Sequence, residues 1–173
     1  ITLPIILLAA ICLYVDNRGP IFYRQVRSGW FGEEFTIYKL RTMRSSNSSD
    51  LVLTKKNDKR ITRIGKVLRA TRIDELPQLI NVIKGEMSLI GPRPDLPAND
   101  RKLEELIPHY SKRYWMPPGL SGLAQVELKF GSSTEYSKHK LSYDLYYIKN
   151  FNTLTDIKIF CKTIKTVLMF FGI

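Results

Sequence analysis

Histidine and cysteine are scarce in this chain: two of each in 173 residues. His109 and His139 stand far apart in sequence, and no His/Cys cluster has the spacing of a zinc site. Cys12 and Cys161 lie one in each apolar end segment. Two such distant cysteines are no disulfide framework, and a reducing compartment fits them. There is no Walker loop, no GxGxxG and no local signature of a Ser-His-Asp triad. Negative charge is also short, with 16 acidic residues against 27 basic ones and a net charge of +11. That excess implies an anionic partner: nucleic acid, an anionic membrane surface or a phosphorylated substrate. A generally basic soluble surface is the plainer alternative. The length suits one domain with a real core, and the ordinary apolar content argues against wholesale disorder.

Charge is missing altogether from residues 1 to 15, "ITLPIILLAAICLYV". A simple spanning helix needs about 20 apolar residues, so this run is short for one. It has neither the basic start nor the small-residue cleavage site of a signal peptide. Pro4 within it removes a hydrogen bond and bends a helix. Three readings stand: a buried core helix, the tail of a spanning segment, or half of a re-entrant membrane hairpin bent at Pro4. At the other end, Ile157, Phe160, Cys161, Ile164, Leu168 and Phe171 recur at helical spacing, with Lys158, Lys162 and Lys165 opposite. This predicts an amphipathic helix, lying on an anionic bilayer or packed on the core. Apolar segments at both ends favour the membrane.

The stretch "IFYRQVRSGWFGEEFTIYKLRTM" reads as a β-hairpin around a turn at 29–32. Alternation puts Phe35, Ile37, Lys39 and Arg41 on one face, so two cations emerge together. They are either a phosphate clamp or two solvated residues. "RSSNSSDLVLTKKNDK" reads as a polar loop, and "RITRIGKVLRAT" as a short helix with Ile64, Val67 and Leu68 inward. In "TRIDELPQLINVIKGEMSLIGPRP", Pro77 is tolerated only in a first helical turn, which sets the helix start close to Asp74. Leu76, Leu79, Ile80 and Ile83 form its expected buried face, and Gly85 a natural stop.

Asp74 and Glu75 therefore sit at a helix tip, where amides and the helix dipole favour negative charge. Capping is the plain reading. One carboxylate suffices for that, however, and Arg69, Arg72 and Arg93 crowd the same stretch. An ionised carboxylate among phosphate-binding cations is positioned to attack phosphorus. Gly91-Pro92-Arg93-Pro94 is stiff enough to hold Arg93 in place before substrate arrives. Further on, "RKLEELIPHYSKRYW" reads as helical, and "PPGLSGLAQV" as a turn leading into an extended piece. The helix "EYSKHKLSYDLYYIKN" has an apolar stripe of Leu141, Leu145 and Ile148 that includes Asp144. That carboxylate is either a structural partner of an arginine or part of a magnesium or phosphate site.

Together, "RITRIGKVLRATRIDELPQLINVIKGEMSLIGPRP", "YKLRTM", "PPGLSGLAQV" and "YDLYYIKN" closely resemble the bacterial sugar transferase family, the monotopic phosphoglycosyl transferases. The resemblance runs from Gly19-Pro20 onwards and points to the small, core form. It implies an α+β, mainly helical fold: one compact domain with a short β-hairpin, a re-entrant membrane helix and amphipathic surface helices. Residues 1–16 are expected to be part of the re-entrant helix and 17–173 the catalytic domain. The implied reaction moves a sugar-1-phosphate from a UDP-sugar to polyprenyl phosphate through a covalent aspartyl phosphosugar, releasing UMP. The implied setting is the cytoplasmic face of the bacterial inner membrane, with anionic lipids as partners and no nucleic acid.

By the same resemblance Asp74 is the nucleophile and Glu75 its assistant. Lys39, Arg41, Arg69, Arg93 and Gln125 are expected substrate contacts. Mg2+ is the expected cofactor, with Asp74 and Asp144 as its ligands. Two departures from the family pattern are visible. Only Ile1, Thr2 and Leu3 precede Pro4; if Pro4 is the family's central proline, the resemblance would place nearly half of the expected hairpin outside this sequence. After "AQV" the chain reads "ELKFGSS" where many members have Asn-Gly-Arg, in a region that bears on the donor sugar. Two other function classes compete: a nucleotide-sugar-binding membrane scaffold without turnover, and a basic nucleic-acid-binding module. The second leaves Asp74 and Asp144 without a role.

Overall fold

Short apolar patches, none long enough to make a single large core, are gathered by this chain into three small clusters. The computed structural model describes residues 2–16, 18–44, 58–129, 131 and 133–169. The expected polar loop falls mostly at 45–57, outside the described residues.

Helix α1 (Thr2–Asp16) takes Pro4 in its first turn, where a proline costs no hydrogen bond. It packs by one narrow face. Ala9 and Leu13 meet Leu40 and Leu68, with Ile6, Ile21, Ile64 and Ile73 around them. Leu3, Ile5, Leu7, Leu8, Ile11, Tyr14 and Val15 remain exposed, so α1 is not a buried core helix. A re-entrant helix is not confirmed: α1 is one helix of 15 residues, and no helix among the described residues is long and apolar enough to cross a membrane.

The expected hairpin is present. Strands β1 (Phe22–Ser28) and β2 (Glu34–Leu40) pair antiparallel, with Tyr23 opposite Lys39 and Gln25 opposite Ile37. Helix α2 (Arg63–Ala70) starts at Thr62, whose hydroxyl accepts from the Gly65 amide at 2.9 Å. Leu68 turns inward as expected, but Val67 is exposed.

The segment from Ile73 departs most from periodicity. A 3₁₀ turn, Ile73–Gln78, precedes a five-residue α3, Leu79–Ile83, and Gly85 ends it at φ 79°. Its acidic and amide side chains point inward, and two of its aliphatic ones point out. Asp74, Glu75, Gln78 and Asn81 are buried, whereas Ile80 is 48% and Ile83 85% exposed. Of the expected apolar face, Leu76 and Leu79 are half-buried and Ile80 and Ile83 turn out, because partners for the polar side chains stand on the inner side. Asn81 donates to the Thr36 carbonyl and to Glu86 Oε2, each at 2.7 Å.

Two very short strands, β3 (Ser88–Ile90) and β4 (Gly119–Ser121), run parallel. Between them come α4 (Pro97–Leu106) and a second 3₁₀ turn, Tyr110–Trp115. After β4 the chain forms α5 (Leu123–Glu127), where an extended piece was expected. Helix α6 (Thr134–Asn150) buries Leu141 and Asp144 of the expected stripe and also Tyr147, with Leu145 and Ile148 half-buried. Helix α7 (Thr153–Leu168) buries Ile159 against Ile90 and Tyr147. Its apolar stripe of Ile157, Phe160, Ile164 and Leu168 stays exposed, and Lys162 pairs with Glu127. Phe171 lies outside the described residues. The molecule is mainly helical, with one antiparallel hairpin.

Candidate active site

The hairpin and the Ile73–Gln78 turn pack together, and the candidate site forms where they meet the Gly-Pro-Arg-Pro segment. Helix α2 ends at Ala70, and Thr71 Oγ1 donates back to the Val67 carbonyl at 2.9 Å. Arg72 then adopts φ 59°, the left-handed region that side chains other than glycine seldom occupy. This strained residue reverses the chain, so the next turn presents Asp74 and Glu75 inward, each 7% exposed.

The two neighbouring carboxylates have opposite surroundings. Glu75 is ringed by cations: Lys39 Nζ stands 2.5 Å from Oε1, Arg93 Nη2 2.6 Å from Oε1, and Arg72 Nη1 3.5 Å from Oε2. Burial pushes the Glu75 carboxyl up, but Arg93 and Lys39 overcome it and hold it well below the usual range. Among the described residues Asp74 forms no such ion pair. Burial, and then the Glu75 charge, push its carboxyl up to about 6, against the weaker pull of Lys39, Arg69 and Arg72. Its Oδ1 is buried without a hydrogen-bond partner. A buried carboxylate oxygen with nothing bound to it is a costly feature for a fold to keep.

The other expected residues divide into two groups. Lys39 and Arg93 are brought to the acidic pair, and Arg69 acts electrostatically on Asp74 while its Nε donates to Thr42 Oγ1 at 2.7 Å. Burial lowers the Lys39 ammonium against the upward pull of Glu75. Arg41 stands one residue beyond the strand that carries Lys39, its amide still donating to the Ile21 carbonyl at 2.8 Å. Strand β2 ends at Leu40, and the Arg41 guanidinium lies against the Gly19 backbone. Gln125 sits in α5, its Nε2 3.4 Å from the Leu120 carbonyl. Asp144 is completely enclosed and ion-paired, 2.9 Å from Arg113 Nη2. Burial raises its carboxyl, with Arg113 opposing.

The donor set bears on a magnesium ion. Among the described residues no three His, Cys, Asp or Glu side chains gather as a metal-holding group. Asp144 is committed to Arg113 and Glu75 to three cations, so Asp144 does not join Asp74 in a pair of ligands. Magnesium commonly takes one or two protein carboxylates and completes its shell with water and substrate phosphates. The unpartnered Oδ1 of Asp74 fits that mode as a single protein ligand.

Several site residues carry no motif of their own: Asn81, Asp95, Arg113 and Lys140. Asp95 directly follows the Gly-Pro-Arg-Pro segment, the one signal that marks it. Lys140 and Arg113 both pair with Asp95, the latter at 2.5 Å. Although burial pushes the Asp95 carboxyl up, these two cations hold it well below its usual value.

A family model described as bacterial sugar transferase matches residues 1–170. A UDP-glucose:undecaprenyl-phosphate glucose-1-phosphate transferase from Caulobacter vibrioides is 43% identical over 168 residues, covering 95% of this chain and 63% of the relative. A UDP-N-acetylgalactosamine-undecaprenyl-phosphate N-acetylgalactosaminephosphotransferase from Aeromonas hydrophila is 41% identical, covering 98% of this chain and 40% of the relative. An exopolysaccharide production protein from Rhizobium leguminosarum is 40% identical, covering 93% and 84%. The chain spans less than two thirds of the length of the first two. With four motifs in order and a match over nearly its whole length, the chain belongs to the bacterial sugar transferase family.

Proposed function

We propose that this chain transfers a sugar-1-phosphate from a UDP-sugar to undecaprenyl phosphate, through a covalent intermediate on Asp74. The observation that carries the reading is the contrast between the two acids. Glu75 is neutralised three times over, while Asp74 keeps a buried, unpartnered oxygen beside it. In the first step an Asp74 carboxylate oxygen attacks the phosphorus that bears the sugar. The bond from that phosphorus to the bridging oxygen breaks, and the electron pair leaves with UMP. In the second step a phosphate oxygen of undecaprenyl phosphate attacks the same phosphorus, and Asp74 leaves as carboxylate. Two substrates, one from water and one from the bilayer, thereby use one site in turn.

Anion attacking anion is the difficulty, and the cations of the site offset it. Lys39, Arg69, Arg72 and Arg93 supply positive charge where the diphosphate must lie. Glu75, kept ionised by these cations, holds Lys39 and Arg93 in place before the donor arrives. Magnesium, held by Asp74 and the substrate phosphates, supplies further charge compensation when bound. The exposed apolar faces of α1 and α7 support attachment to a bilayer surface at the cytoplasmic face of the inner membrane, anionic lipids meeting the basic surface.

The test is turnover. The chain is incubated with magnesium, undecaprenyl phosphate and a panel of UDP-sugars, and released UMP is measured. Wild type is expected to release UMP and to carry a phosphosugar mass adduct with donor alone. Asp74→Asn is expected to do neither, a loss of at least about 10³-fold given the size of covalent and electrostatic contributions. Full turnover in Asp74→Asn refutes the covalent route. Donor binding without UMP release by wild type indicates a scaffold, and salt-sensitive nucleic-acid binding without donor binding indicates the third class.

A further inference from the structure

We propose that Arg113 is a positioning residue that fixes Arg93 for diphosphate binding, by gripping the Arg93 main-chain carbonyl while the Arg93 side chain pairs with Glu75. The inference rests on the phosphate-binding reading of Arg93 given above.

The argument begins with what Gly91-Pro92-Arg93-Pro94 lacks. Two of its four residues have no amide hydrogen, so the segment cannot anchor itself by donating from both sides of Arg93. The Gly91 amide donates to the Ser121 carbonyl at 2.8 Å, and the rest is held by carbonyls. The Pro92 carbonyl accepts from the Gly119 amide at 2.9 Å, and that of Pro94 from Arg27 Nη1 at 3.4 Å. The next carbonyl, of Asp95, accepts from the Ser28 amide at 3.1 Å. The carbonyl of Arg93 itself accepts from Arg113 Nη2 at 2.8 Å. One residue thus receives Arg113 on its main chain and reaches Glu75 at 2.6 Å with its side chain.

The surroundings of Arg113 suit a fixed grip. It is 2% exposed, in the Tyr110–Trp115 turn. Its Nη1 donates to Asp95 Oδ2 at 2.5 Å and to the Tyr110 hydroxyl at 2.9 Å. Its Nε donates to Asp144 Oδ2 at 3.1 Å. The rings of Tyr110 and Tyr114 lie against it, with centroids 5.2 and 5.9 Å from the guanidinium carbon. Lys140 of α6 pairs with the same Asp95. One planar fork therefore ties α6 to the segment that carries Arg93. A buried charged network is an expensive way to fill space, and apolar residues of similar volume do that at no loss of stability. What the fork adds is direction, since an ammonium cannot serve Asp144, Asp95 and a carbonyl in one plane.

The experiment is a double-mutant cycle. UDP affinity is measured by calorimetry for wild type, Arg113→Lys, Arg93→Ala and the double variant, with thermal unfolding and donor kinetics on each. Arg113→Lys is expected to weaken UDP by about tenfold and to raise donor KM more than it lowers kcat. In the Arg93→Ala background the same change is expected to move UDP affinity by less than about twofold, because its route is already gone. Equal losses in both backgrounds overturn the proposal, as does unchanged UDP affinity in Arg113→Lys with only a lower Tm, or absence of UDP binding by wild type. Should Arg113→Lys fail to fold, Asp144→Asn in both backgrounds carries the same comparison. UMP release by wild type is scored separately. Turnover with an additive cycle sinks the positioning role alone, whereas UDP binding with a non-additive cycle and no turnover sinks the transferase reading alone.

Discussion

Two adjacent carboxylates in one turn do different work because their neighbours differ. Glu75 is held ionised by Lys39 and Arg93, while Asp74 is pushed to about 6 by burial and by Glu75 itself. The Asp74 shift has a sign that can be checked. Its folded pKa lies above its ordinary 3.8, so ionising it costs stability. That cost is complete above about pH 6 and fades as pH falls towards 4. Asp74→Asn, measured in metal-free buffer, is therefore expected to be more stable than wild type at pH 8 by about 1–3 kcal/mol, and to converge with it near pH 4. Equal thermal unfolding at both pH values would contradict the burial argument. Glu75→Gln has the opposite expectation. It leaves Lys39, Arg72 and Arg93 without their common counter-ion, and a loss of about 3 kcal/mol in unfolding free energy is expected.

At the scale of elements, Asp74 and Glu75 were legible as a pair at a helix start because Pro77 admits few alternatives. Their orientation was not. Periodicity assumes that aliphatic residues face in and charged ones out, and Ile80 and Ile83 break that assumption. The reason is the set of partners supplied by β2 and the Gly-Pro-Arg-Pro segment, distant in sequence. The end of β2 at Leu40 was not legible either, since strand alternation cannot say where a strand stops. The β3–β4 pair, three residues each, was too short to leave a pattern. Its closeness is testable: a Cβ on Gly119 would stand 2.1 Å from the Gly91 nitrogen, closer than any side chain tolerates. Gly119→Ala is expected to part the two strands, to lower stability by about 2–3 kcal/mol and to weaken UDP binding through Arg93. Unchanged unfolding would show that the two backbones do not approach so closely.

Across the whole molecule, the unusual feature is how much apolar side chain faces outward. Most of α1 does so, and α7 exposes its apolar stripe while burying Ile159 and joining Thr163 to Ser121 at 2.6 Å. The two readings of the C-terminal helix were open in sequence because both need the same stripe. In the structure α7 packs on the core through Ile159, a residue outside that stripe, and leaves the stripe itself exposed. Reversing Lys158 or Lys165 is expected to weaken binding to anionic vesicles by about fivefold per lysine at low ionic strength. Phe160→Asp and Ile164→Asp are expected to weaken it on neutral vesicles as well. Sedimentation with vesicles of each composition decides this, and unchanged binding in all four variants would remove α7 from the bilayer surface.

Local chemistry alone determined the acidic pair beside Pro77, the stiff arginine segment, the hairpin and the buried position of Asp144, because each depends on residues a few places apart. Which acid is neutralised, which cation reaches it, and what holds Arg93 were decided only by the tertiary structure. Ion pairs are short-ranged in space and indifferent to separation along the chain: Lys39, Glu75 and Arg93 meet within 3 Å, and no pattern read along the chain encodes that distance.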